Sequence, residues 1–313
     1  MTSFELEPET FCVISPAFSL FLILRPPILT QAANVFDLSS IREALMHSKP
    51  FFDGWVGRLI ELGNSDQPST WRLVERLGDK NDQLSAEEHN VASESNISYG
   101  KPSAAYGAFR CQNTSDPDDV AFMKIIMQIP WAGAEFVSST ERAKQADNTN
   151  LPRYAQWEIE PLEILTKNNC QAAPHIRTHR ETVQEQNEMV PGGFIHYILM
   201  EHAPGDRLTE DKFWNYPDDE RNKIREAFRV AWEECVRAGV VPCMAALWHL
   251  FWDSESSKVY LVGFNHSQPV SSDEDDGKWE DNEWIYWGLA QYPDEENYAP
   301  DEGPNADKSK WIL

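Results

Sequence analysis

From Gly239 to Asn265 the chain reads GVVPCMAALWHLFWDSESSKVYLVGFN. Leu247 to Trp252 and Lys258 to Val262 are two bulky apolar runs, and the DSESS between them has turn chemistry, so the pair predicts a hairpin. Asp253 is then a turn residue, and His249, between Trp248 and Leu250, is the side chain of the first run that titrates near neutral pH.

Upstream of this hairpin, Asp218 can cap a long helix to Ala238 whose apolar stripe is Ile224, Phe228, Ala231 and Cys235. Phe194 to Met200 reads as a strand ended by the Pro204-Gly205 breaker, and Tyr154 to Leu165 as a helix with Ile159, Leu162 and Leu165 on one face. Three strands are expected from Ser98 to Ile129, across YGKPSAAYGAFRCQ and VAFMKIIMQI, with NTSDPDD as a turn. Trp279 to Gln291 reads as an aromatic helix, with part of the Trp279, Trp284 and Trp287 cluster packed inward and the remainder exposed at the rim. Nearer the start, Ser39 to His47 and Phe51 to Leu62 are helical candidates, and the polar Gly78 to Ser95 is linker-like. Phe11 to Thr30 is apolar, but Pro16, Arg25, Pro26 and Pro27 interrupt it and its leader is acidic, so a strand or packed extension is expected rather than a membrane span.

The chain has 313 residues, enough for a sizeable core and for two lobes or a domain with an extension. Lys and Arg number 27 against 51 Asp and Glu, a formal charge of −24 that argues against nucleic acid or an anionic membrane as partner. Thirteen acidic and three basic residues fall in 271–313, which reads as a solvated end. Five scattered cysteines, at 12, 111, 170, 235 and 243, lack CxxC spacing and suggest neither a disulfide framework nor a zinc site. A reducing compartment, the cytoplasm, is the expectation.

Six segments in order resemble the protein-kinase-like superfamily, and more closely a fungal group related to aminoglycoside and choline phosphotransferases. They are AFMKIIMQIPW, YAQWEIEPLEIL, VPGGFIHYILMEHAPGDRL, IREAFRVAWEECVRAGVV, LFWDSESSKVYLVGF and EWIYWGLAQ, spanning about residues 98 to 292. The resemblance implies an α+β, two-lobed protein-kinase-like fold with a small β-rich N-lobe, a helical C-lobe and a ligand cleft between them. The corresponding division is an N-terminal extension with short helices over 1–90, an N-lobe over 91–203, a reduced helical C-lobe over 204–292 and an acidic tail over 293–313.

By the same resemblance Lys124 is similar to the strand lysine that pairs nucleotide phosphates, and Glu158 to its helix carboxylate, with Glu160 as rival. Met200 resembles a gatekeeper and Glu201, His202 and Ala203 a hinge. Phe122 occupies the place of a small residue above the adenine ring, where added bulk costs about 1–3 kcal/mol. Only Gly100 and Gly107 remain of a glycine-rich loop. The catalytic positions read Pro242 and Met244 for the His and base Asp, His249 for the metal-binding Asn, and Gly263 for the metal Asp. A thioether neither takes a proton nor binds Mg²⁺ well, and the remaining set lacks the oxygen ligands phosphoryl transfer needs.

The resulting expectation is a kinase-fold protein without phosphotransferase activity that holds a small molecule or protein partner in the interlobe cleft, with no cofactor, metal or nucleic acid. Its ligand-binding candidates are Lys124, Glu158, Phe122, Met200, Glu201, His202 and Asn265. The alternative is a metal-independent enzyme of fungal secondary metabolism, a cyclase, isomerase or lyase, using His249 or His266 as acid or base. A third reading is a phosphotransferase with relocated metal ligands.

Overall fold

The computed structural model describes residues 51–63, 68–88, 103–148, 153–243, 245–265, 267–270, 277–292 and 308–313. These residues fall in one compact unit, Pro50 to Leu313. Phe11 to Thr30, Ser39 to His47, Gly100, Met244, His266 and the tail over 293–307 lie outside the described residues.

The architecture is mixed α/β around a six-stranded antiparallel sheet of β1 (Leu59–Leu62), β2 (Ser69–Asp82), β3 (Ala104–Asn113), β4 (Val120–Gln128), β5 (Ile176–Val183) and β6 (Phe194–Met200). The spatial order is β1-β2-β3-β4-β6-β5, so β6 is inserted between β4 and the edge strand β5. Alternation along the strands divides the sheet into two faces. Ala105, Phe109, Met123, Ile125, Ile195, Tyr197 and Leu199 point to one face, which Phe51, Phe52 and Trp55 cover. Tyr106, Ile126, Ile198 and Met200 point to the other, where they share a core with the helices.

That second face carries α2 (Arg153–Lys167), which follows the short α1 (Ser139–Ala143). Ile159, Leu162 and Leu165 are buried, as the helical spacing predicts. After the two-residue strand β7 (Asp206–Arg207) and α3 (Glu210–Trp214) comes α4 (Asp218–Arg237), the longest helix among those described. Its stripe of Ile224, Phe228, Ala231 and Cys235 is buried, but the N-cap is Pro217, and Asp218 is the first helical residue rather than the cap. Three acidic residues in that first turn complement the helix dipole instead.

The chain continues through β8 (Val240–Val241), a 3₁₀ turn at Leu247–His249, the hairpin β9 (Leu250–Asp253) and β10 (Lys258–Leu261), β11 (Gln268–Pro269) and α5 (Glu283–Tyr286). The expected hairpin therefore forms, with its first three residues turned rather than extended. Asp253 accepts from Glu255 N, Ser256 N and Ser256 Oγ, which fastens the DSESS turn.

Four further readings are corrected. Phe51 to Leu62 is not a helix: Gly54 and Gly57 take positive φ, and the segment turns before entering β1, where Ile60 and Leu62 are buried and Leu59 and Glu61 exposed. Gly78 to Ser95 is not all linker, because β2 runs to Asp82 and pairs with β3 along its length. Ser98 to Ile129 yields two strands among the described residues, β3 and β4, and Trp279 to Gln291 yields only the four-residue α5. Trp284 and Trp287 are nonetheless buried, and Arg225 binds this segment to α4 by donating from Nε to the Leu289 carbonyl at 2.6 Å. No helix among the described residues is long and apolar enough to cross a membrane.

Candidate functional site

β4 alternates inward and outward, so Phe122, Lys124 and Ile126 share the sheet face that α2 covers. Lys124 Nζ forms an ion pair with Glu158 Oε2 from the second turn of α2. The two side chains retain 14% and 5% of their exposure. Asn265 Oδ1, from the segment after β10, accepts from the same ammonium at 3.4 Å and is itself buried. Sheet, helix and post-hairpin segment thus converge on one cation. Glu160, the rival carboxylate, is exposed.

Sequence reasoning missed three side chains on this face. β2 brings Lys80 opposite Tyr106 of β3, with Lys80 Nζ 5.1 Å from the ring centroid. Burial lowers the Lys80 ammonium below its ordinary pKa and the Lys124 charge lowers it further, while Asp82 and Glu158 offset part of this. Burial raises the Asp82 carboxyl, against the Lys80 charge and a hydrogen bond from Tyr106. The signal was a Lys-x-Asp pair at strand spacing, hidden because the polar composition around it reads as linker.

Phe122 and Met200 are cross-strand partners, Met200 buried and Phe122 partly so, and both pack beside Lys124 on the same face. Glu201 and His202 are exposed beyond β6, and the Glu201 amide donates to the His175 carbonyl at 2.9 Å. Gly107 sits inside β3 with its missing side chain directed at Phe52 and Phe109 on the opposite face. It is a packing glycine, not a remnant of a phosphate-cradling loop.

His249 and Gly263 are adjacent across the base of the hairpin, where Val262 N donates to His249 O at 2.8 Å. A Cβ at Gly263 would lie 2.7 Å from His249 Cδ2 and 2.9 Å from Nε2, and the φ of +78° disfavours any L side chain. The position that resembles a metal Asp has no room for a carboxylate while His249 holds this rotamer. Lys124, Glu158 and Asn265 are therefore brought together, and His249 lies against the backbone two residues before Asn265.

A scan of protein-family models finds no match, and a search of the curated proteins finds none either. Among solved structures, the chain is similar to the kinase PK-1 of the Cydia pomonella granulovirus, at 11% identity and a TM-score of 0.34. The likeness covers 64% of this chain and 55% of the viral one, so this chain spans little more than half of that kinase's length.

Proposed function

We propose that the protein has a two-lobed kinase-like fold without phosphotransferase activity, and that its interlobe cleft holds a small molecule or protein partner. The observation that carries this reading is the Lys124 ammonium, clamped between Glu158 and Asn265 beside Lys80, Asp82 and Tyr106. Two cations and two carboxylates gathered on one sheet face, with Phe122 and Met200 packed on that same face, offer a polar ligand several charged partners. Support for the loss of phosphoryl transfer is the collar of His249 around Gly263, which fills the space a metal-binding carboxylate would need.

Calorimetric titration of the full chain with ATP, with and without Mg²⁺, together with a thermal-shift panel of small metabolites, tests the reading. Mg·ATP should give no binding heat. A ligand present at a hundred times its Kd should add about 2.7 kcal/mol of stability, and Lys80→Met should remove that shift without unfolding the chain. Tight, Mg²⁺-dependent ATP binding would overturn the proposal.

A further inference from the structure

We propose that His179, Glu181 and His196 form a binding site for a divalent transition-metal ion of the zinc type, independent of the cleft reading above. His179 and Glu181 are two residues apart on the edge strand β5 and so share one face, and Glu181 pairs in register with His196 on β6. One ligand atom from each of the three lies within 4.8 Å of the others.

The separations fit a metal. Two imidazole nitrogens bound to zinc at about 2.0–2.1 Å with tetrahedral angles stand about 3.3–3.4 Å apart, and His179 Nδ1 lies 3.3 Å from His196 Nε2. Glu181 Oε1 is 3.8 Å from His196 Nε2, and its side chain is 53% exposed, so a small rotation brings the carboxylate onto the same ion. The three ligands leave a fourth position toward solvent, the arrangement of a site that holds water or an exchangeable ligand.

The surroundings fit at His179, while the buried Nδ1 of His196 has no hydrogen-bond partner among the described residues. Glu163 of α2 places Oε1 3.4 Å from His179 Nε2, the nitrogen turned away from His196. A carboxylate on the outer nitrogen fixes the ring and the tautomer, leaving the Nδ1 lone pair aimed at the shared point. His196 is fully buried, which holds its Nε2 in place against His179 Nδ1. The site is distinct from the Lys124 cluster: Lys124 and His179 flank Ile198 from opposite sides, two strand spacings or about 10 Å apart.

Neither the cysteine spacing nor the positions Met244, His249 and Gly263 offered a metal site, whereas this donor set is assembled across strands. Its test is a titration of the full chain, stripped with chelator, by Co²⁺ with visible absorption as readout, followed by displacement with Zn²⁺. One equivalent should bind with a low-symmetry Co²⁺ spectrum free of thiolate charge transfer. His179→Ala and Glu181→Gln, both on the edge strand, should lower affinity at least about 100-fold while the far-ultraviolet circular dichroism stays unchanged, and Glu163→Gln should lower it about 10–100-fold. Absence of stoichiometric binding overturns the proposal. So does equal binding by His179→Ala, or a thiolate band, which would move the ion to Cys170 and Cys235, whose sulfurs lie 3.8 Å apart.

Discussion

Lys124 and Glu158 are enclosed enough that each compensates a charge water no longer solvates. Lys124→Met alone leaves a buried carboxylate beside Asn265, and Glu158→Leu alone leaves a buried ammonium. Each should cost about 3–5 kcal/mol in urea unfolding. The double substitution should cost less than either, because two apolar side chains of similar volume need no partner. Additive single effects would mean that the pair is uncoupled. Gly263 shows the same dependence on a neighbour. Its positive φ and the His249 ring together decide which side chain the position tolerates, and they disfavour a carboxylate by backbone as well as by space.

At the scale of elements, α4 anchors the helical part through one stripe. Phe228 is fully buried, with its ring 5.8 Å from that of Trp279 and 5.1 Å from that of Trp287. Phe228→Ala should therefore destabilise by about 3–5 kcal/mol, against less than about 0.5 kcal/mol for the exposed Glu226→Ala on the same helix, both read by chemical denaturation. This stripe was legible because helical period and burial coincide, and β6 was legible because all seven of its residues are buried. Other strands were not. β5, IRTHRETV, is a charged edge strand with no apolar alternation, and β2 loses its period at two register shifts, between Leu73 and Glu75 and between Arg76 and Gly78. The candidate site divides in the same way. Lys124 and Glu158 lie in segments with a resemblance to carry them and Asn265 directly follows one, whereas Lys80, Asp82 and His179 lie on the strands whose pattern is broken and His196, on the legible β6, finds its partners across the sheet.

Across the whole molecule the formal charge of −24 disfavours further negative charge, most of all on a buried carboxylate without a cation partner. Glu283, in α5, is the clearest case: burial raises it from 4.5 to about 7, Glu280 adds to the rise, and the hydrogen bond from Trp287 Nε1 at 3.0 Å opposes it. The folded chain holds this proton more tightly than the unfolded chain does. The Glu283 contribution is therefore fully present below pH 4.5 and is lost as pH rises through about 7. Glu283→Gln keeps an acceptor for the Trp287 indole and removes the titration. It should raise the stability of the protein at pH 8 by about 1–3 kcal/mol and leave it nearly unchanged at pH 4.5, measured by urea unfolding at both pH values. An equal gain at both would assign the effect to packing of α5 rather than to charge. Added salt separates the two terms further. It should relieve the repulsion spread over the surface but leave most of the Glu283 difference intact, because desolvation, unlike surface repulsion, is not screened.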